Sequence, residues 1–386
     1  MTPNVSRKRA IYTVKLTLAL LLGTVAVATA HVTTYALPGG STTAGGISVD
    51  AEGNVYSADF GGTQLFRIAT DRTVSVYATG LNTPSGNAFD SQGNLFQSNY
   101  GIGIANDTIT KIEPDGTATP FIDGLSGPVG IAIDAEDTMY VALCDSGRVG
   151  RIAVDGSSGV FAESNLFACP NGITFDEVGN LYVVNFNDGG VLKIDPQGDV
   201  TAFATIPGGG NGHVAYVAGH LYVADRAGNQ IYRVDITSAE VELFAGTGTA
   251  GSTDGENLEA LFNEPNAVAR NREGSALYTN GVNNVVRRIA LELERPDKPK
   301  NFKAKARKKG KAKLTWTNDS LNREGFAIEL STSGSGFEEI GRVGPRATKA
   351  VIRGLLAGET YRVRIVAFNG SGSSKPSKKV KFTGRG

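Results

Sequence analysis

The chain has 386 residues, 38 basic and 38 acidic side chains, 50 glycines, three histidines and two cysteines. That length is too great for one ordinary core and suits two domains. Three histidines leave little for a zinc catalytic site, and no aromatics interleave the basic run Lys303–Lys313 as base stacking on a nucleic acid would need.

In chain order, Arg7, Lys8, Arg9 and Lys15 precede an apolar run from Leu16 to Ala28, and Ala28-Thr29-Ala30 has small-x-small form. This predicts a secretory signal peptide over residues 1–30 and a secreted or periplasmic protein. The run is short for a bilayer span, and no later segment is apolar enough to cross a membrane.

A degenerate repeat follows. GISVDAEGNVYSAD (Gly46–Asp59), GNAFDSQGNLFQSN (Gly86–Asn99) and GITFDEVGNLYVVN (Gly172–Asn185) each join a short strand, an Asp-Gly turn and an aromatic strand. Weaker copies start at Gly130, His213 and Ala267. The turn residues Asp50, Asp90, Asp134, Asp176 and Asn271 lie 40, 44, 42 and 95 positions apart, the last gap hiding a copy near Val217. Several strands per 40–45 residues mean a β-propeller, here of six blades over residues 31–293. A third strand ends in a basic residue and Ile in most units, as in Lys193-Ile194, and an outer strand holds an aromatic, as in DVTAFAT (Asp199–Thr205). The sixth unit lacks its outer strand. VTTYALPGG (Val32–Gly40) resembles the missing one and is predicted to close the ring, removing an exposed edge.

Cys144 ends the second strand of blade three and Cys169 precedes blade four. In an exported protein this pair predicts a disulfide stapling the two blades; the alternative is two separate buried thiols.

Charge divides the chain. Residues 31–294 carry 12 basic and 31 acidic side chains, residues 295–386 carry 22 and 7. The linker over residues 294–298 contains proline and charge, and a second domain is expected over residues 299–384. Trp316 is its expected core aromatic. The basic run KAKARKKGKAK (Lys303–Lys313) offers an anionic surface a contact, or is a solvated strand pair that keeps the domain soluble or holds it against the acidic propeller.

The six units resemble NHL-type repeats and the wider gluconolactonase-like, regucalcin-like six-bladed propellers, above all in FAGTGTAGSTDGENLEALFNEPNAVA (Phe244–Ala269). Residues 299–383 resemble a fibronectin type III β-sandwich, with Leu355 and Tyr361 where that family places its central Leu and strand-F Tyr. The fold class implied is all-β. A short helical turn before the sixth inner strand is also implied.

Chemistry is harder to find. Gly246–Gly251 matches GxGxxG in letters, but lies between antiparallel blades and not in a βαβ unit. His31, once exposed as an N-terminus, could clamp copper only with His213 or His220 as partner. The inner strands converge at the channel mouth, where alignment to PNGI brings together Gly45, Ser85, Val129, Asn171, Asn211 and Asn266. Three amides and His213 there could hold a sugar hydroxyl or a hard cation. The gluconolactonase resemblance implies a divalent cation such as calcium, with Asn171 as one ligand. The carboxylates that family places near Gly45 or Gly46 and at Asn211 are absent, and with them an evident general base. Around the mouth, Asp59, Asn99, Asn185 and Asp225 form either a polar binding rim or turn-stabilising caps. Phe60, Tyr100 and Phe186 beside them could stack on a ligand or pack between blades. The sequence therefore implies an exported binding scaffold for a protein, glycan or small ligand at the channel mouth, with a spacer or attachment module. A metal-dependent lactone hydrolase or streptogramin-lyase-like enzyme is the alternative.

Overall fold

Short alternating strands separated by Asp-Gly turns leave the chain few ways to bury its apolar faces except as small stacked sheets. In the computed structural model, which describes residues 31–40, 43–101, 107–282, 285–291, 295–318, 320, 323–332, 335–369 and 371–386, they form six such sheets and a sandwich. The leader expected over residues 1–30 and Glu294 of the linker lie outside the described residues. No helix among the described residues is long and apolar enough to cross a membrane.

Blades one to five are four-stranded antiparallel sheets in sequential order, their inner strands being Ala44–Val49, Pro84–Phe89, Pro128–Ile133, Pro170–Phe175 and Asn211–Val217. Blade six combines Ala267–Arg270, Ala276–Asn280 and Val286–Ala290 with His31–Ala36 as the fourth strand, so the chain's first described strand closes the ring. A two-residue strand, Gly255–Glu256, adds a fifth. The short helical turn implied before the sixth inner strand is present as a single turn, in which Ala260 N and Glu259 N both donate to Glu256 O at 2.9 Å.

Two devices recur around the ring. The turn-opening Asp closes an Asx turn: Asp176 Oδ1 accepts from Val178 N and Asn180 N, both at 2.9 Å, and Asp50 and Asp90 do the same. Each blade also packs its second-strand aromatic edge-on against an outer-strand aromatic. The pairs are Tyr56–Tyr77, Phe96–Phe121, Tyr140–Phe161, Tyr182–Phe203, Tyr222–Phe244 and Tyr278–Tyr35, with ring centroids 4.8 to 5.2 Å apart. Such pairs are each worth roughly 1 kcal/mol beyond the area they bury. The sixth uses Tyr35, so the closing strand supplies this contact as well as backbone pairing.

Cys144 and Cys169 are disulfide-bonded, joining the end of a blade-three strand to the entry of blade four. The second domain packs Lys300–Arg307, Lys311–Thr317 and Lys349–Ile352 against a sheet built on Gly325–Thr332 and Thr360–Asn369. Trp316 and Phe326 meet edge-on in its core, and Tyr361 Oη accepts from Leu356 N at 3.0 Å, the corner bond expected of its position.

Candidate functional site

The inner strands enter on one face of the propeller, here the upper face. The Asx turns lie on the other, lower face. In blades one to five, pairing with the second strand skips two residues just below the entry: 45–46, 85–86, 129–130, 171–172 and 212–213. These bulges turn the skipped backbone away from its own sheet. Neighbouring side chains satisfy the freed carbonyls: Gln97 Nε2 donates to Ser85 O and Gly86 O at 3.0 Å, and Asn280 Nδ2 to Gly45 O at 3.1 Å.

The register corrects one alignment. The shared Asn-Gly placed Asn211 level with Asn171. Asn211 instead pairs with Asp225 as Pro170 pairs with Asn185, so Gly212 stands level with Asn171, and His213 with Gly172. Gly46, Gly86, Gly130 and Gly172 share that level. A Cβ on Gly46 would lie 2.7 Å from the Cα of Gly86, one on Gly86 2.9 Å from that of Gly130, and one on Gly172 2.5 Å from that of His213. The inner strands thus touch backbone to backbone. Asn266 completes the ring: its carbonyl accepts from His213 N at 2.7 Å, and its Nδ2 donates to Ala44 O at 2.9 Å. The imidazole of His213 reaches across from blade five to blade two, with Cε1 3.1 Å from where a Cβ of Gly86 would sit. It blocks the channel.

Burial lowers the His213 imidazole to about 4, so it is neutral at physiological pH. The unfolded chain carries an ordinary histidine near 6.5, so this stabilisation is complete above pH 6.5 and declines as pH falls toward 4. At pH 4.5 the loss is on the order of 2 to 3 kcal/mol. Denaturant titrations at pH 7.0 and 4.5 should show that difference shrinking by about this amount in His213→Gln; an unchanged difference would remove His213 as its source.

Above the imidazole, Asn171 Nδ2 donates to Asn211 O at 3.1 Å, which leaves Asn171 Oδ1 without a protein partner. Asn211 Oδ1 and Nδ2 and His213 Nε2 are likewise buried and unpartnered, as are Asn87 Oδ1 and Ser48 Oγ further along inner strands. Ser85 is buried at the same mouth, beside Gly45. Asp59 and Asp225 are buried at the ends of second strands. Asp225 Oδ1 accepts from Gly228 N at 2.9 Å, and burial raises its carboxyl. Asn99 donates to Thr108 and Thr110, and Asn185 to Leu166 O. Phe60 and Tyr100 contact one another, and Tyr100 Oη donates to Asp145 at 2.9 Å.

This set fits a divalent cation poorly. The inner strands carry no Asp, Glu or Cys, and at the mouth they and Asn266 offer amides, the Ser85 hydroxyl and one imidazole. No group of three or more His, Cys, Asp or Glu among the described residues could hold a metal. Gly246–Gly251 lies in the blade-five to blade-six connection with no helix after it. His31 and His220 stand apart in other settings, each 3.6 Å from a carboxylate, Glu256 and Asp235.

The molecule is thus a six-bladed propeller with an amide-lined, imidazole-blocked channel, carrying a C-terminal fibronectin type III domain. Residues 28–287 match the virginiamycin B lyase family model, and the chain belongs to that family; residues 297–383 match the fibronectin type III model. No curated protein matches the chain. Among solved structures it is similar to a catalytically inactive histidine-to-alanine variant of virginiamycin B lyase from Staphylococcus aureus with quinupristin, at 17% identity and a TM-score of 0.50, covering 65% of this chain and 82% of that one. It is also similar to a gluconolactonase from Xanthomonas campestris (18%, 0.55, 68% and 90%) and to an auxiliary nutrient binding protein from Bacteroides thetaiotaomicron (16%, 0.59, 68% and 76%). At these identities the likeness is one of fold.

Proposed function

We propose that this is an exported binding protein whose upper channel mouth takes a neutral polar ligand, a glycan, peptide or small molecule rich in hydroxyls or amides. The observation that carries this reading is the group of buried polar atoms without protein partners at one mouth: Asn171 Oδ1, Asn211 Oδ1 and Nδ2, and His213 Nε2. Buried polar groups are ordinarily hydrogen-bonded, so such a concentration calls for ordered water or a ligand. The set offers donors and acceptors but no charge, which matches a neutral partner. The disulfide supports an oxidising compartment. The fibronectin type III domain acts as spacer and attachment module. Its hairpin aligns Lys305 with Lys313 and Arg307 with Lys311, like charges directly opposite, an arrangement suited to an anionic surface.

Family membership gives the lyase alternative a concrete form, with His213 as base. Two features weigh against it. An imidazole held near 4 is a weak base at neutral pH, and its Cε1 packs against Gly86.

One experiment separates the readings. Neutral mono- and disaccharides and quinupristin are titrated by calorimetry, and quinupristin is followed by mass spectrometry. We expect binding of a neutral probe that Asn171→Leu weakens at least tenfold, chelator-independent, with no linearised quinupristin. Linearisation that disappears in His213→Gln would establish the enzyme instead.

A further inference from the structure

The largest cavity described lies at the opposite end of the propeller. A cleft of about 980 Å³ separates the lower face from the fibronectin type III domain. Phe175, Tyr216, Arg270 and Arg272 line it from blades four to six, and the loop around Arg346 together with Phe368 lines it from the second domain. Arg346 ties the two sides together: its Nε donates to Glu177 O and its Nη2 to Asp176 O at 3.1 Å.

The charges in this cleft are unevenly satisfied. Asp176 is enclosed by its own turn, accepting from Val178, Asn180 N and Asn180 Nδ2. Glu177 is buried, with the Tyr216 hydroxyl on its Oε2 and no hydrogen-bond partner on its Oε1. Arg323 lies over the Phe326 ring and donates to Pro345 O, and Arg342 pairs with Glu339. Arg270 differs. It ends the inner strand of blade six, lines the cleft as an exposed side chain, and makes one long bond, Nη1 to Arg272 O at 3.3 Å. Among the described residues neither Arg270 nor Arg272 has a carboxylate within ion-pair distance; Glu273 and Glu324 act on Arg270 only from farther away. A cation placed there without a counterion gains from any anion able to enter.

We propose that this interdomain cleft is a binding site for a small organic anion, its carboxylate, sulfate or phosphate group held by Arg270 and Arg272 and its body lying against the walls of the two domains. The guanidinium fork suits all three oxyanions, and the volume suits a body of one to three rings. The site is on the face opposite the channel mouth and does not depend on the reading above.

The test uses the whole exported chain. Citrate, glucose 6-phosphate and a sulfated heparin disaccharide, with glucose and maltose as neutral counterparts, are titrated by calorimetry at low and at roughly physiological salt. At least one anion should bind with a dissociation constant of roughly millimolar or tighter, weakening with salt, while the neutral sugars do not displace it. Which anion binds distinguishes carboxylate, phosphate and sulfate. Arg270→Gln should weaken binding tenfold or more and Arg272→Gln by a smaller factor. Arg270→Lys, which keeps the charge but loses the fork, should fall between wild type and Arg270→Gln and guards against a folding defect. Asn171→Leu should leave it unchanged. Absence of binding by every anion, or equal binding by Arg270→Gln, overturns the proposal. So does loss of binding on Lys305→Gln with Lys313→Gln, which would move the site to the basic hairpin.

Discussion

Gly172→Val should abolish folding of the propeller, with loss of stability above about 4 kcal/mol and little or no soluble protein. The added Cβ would lie 2.5 Å from the Cα of His213 and 2.7 Å from the nitrogen of Val214. Both are backbone atoms, so no rotamer change relieves the contact. Val214 is paired with Val223, and His213 N is bonded to Asn266 O. Blade five therefore cannot retreat without opening the ring. Overpacking in a deformable core commonly costs about 1–3 kcal/mol; here the obstacle is a closed circle of backbones, and the cost is larger. Gly159→Val is the matched control. Gly159 lies in the outer strand Ser158–Glu163 with open space where its Cβ would go, and the change should stay within about 1 kcal/mol of wild type. Guanidinium denaturation of both, with soluble yield, measures the contrast. A cooperative Gly172→Val transition close to that of Gly159→Val would mean that the inner strands are not in backbone contact.

The constriction shows how far the residues could be read directly. Blade number, the Asp turns and the aromatic of each outer strand follow from the repeat, because each copy must bury the same face. The closing strand was legible for the same reason: Tyr35 stands in VTTYALPGG as Tyr77 and Phe203 stand in their own outer strands. Register was not. Asn171-Gly172 and Asn211-Gly212 look equivalent as letters, yet the bulge in blade five falls one residue later, and that shift brings His213 into the glycine ring. Bulges depend on where freed carbonyls find donors: Gln97 from the next strand of the same blade, and Asn280, which is 235 residues from Gly45. A signal was present nonetheless, since four repeat copies open on Gly and the fifth on His. The lower cleft left no comparable trace. Arg270 and Arg346 gain their roles only because the second domain is placed beneath the propeller, and a charge imbalance between domains says nothing of which backbone carbonyls an arginine will reach.

Removing residues 31–36 should leave no stable monomeric propeller. This strand pairs Val32 with Ile289, Thr34 with Arg287 and Ala36 with Val286, and it buries Val32 completely. Without it, Val286–Ala290 becomes an open edge beside an exposed apolar strip, a template for pairing with another chain. A side-chain clasp reinforces the closure. Asp254 Oδ1 accepts from Thr34 N at 2.7 Å, Thr34 Oγ1 at 2.9 Å and Arg287 Nη2 at 2.9 Å. Arg287 is buried, donates to Leu261 O at 2.6 Å and Thr253 O at 3.0 Å, and lies over the Phe262 ring. Asp254→Ala therefore leaves a buried guanidinium without its anion and frees the closing strand at once. Breaking a buried pair costs about 3–5 kcal/mol; because Asp254 is about half exposed, with side-chain accessibility of 47%, about 2 kcal/mol is the expected loss. Size-exclusion chromatography should show the truncated protein as oligomer or aggregate, and a synthetic peptide of residues 31–40 added during refolding should recover monomer. Asp254→Ala should remain monomeric but melt earlier. A truncated protein that stays monomeric with an unchanged melting temperature would show that three strands suffice for blade six and that the ring does not depend on its first strand for closure.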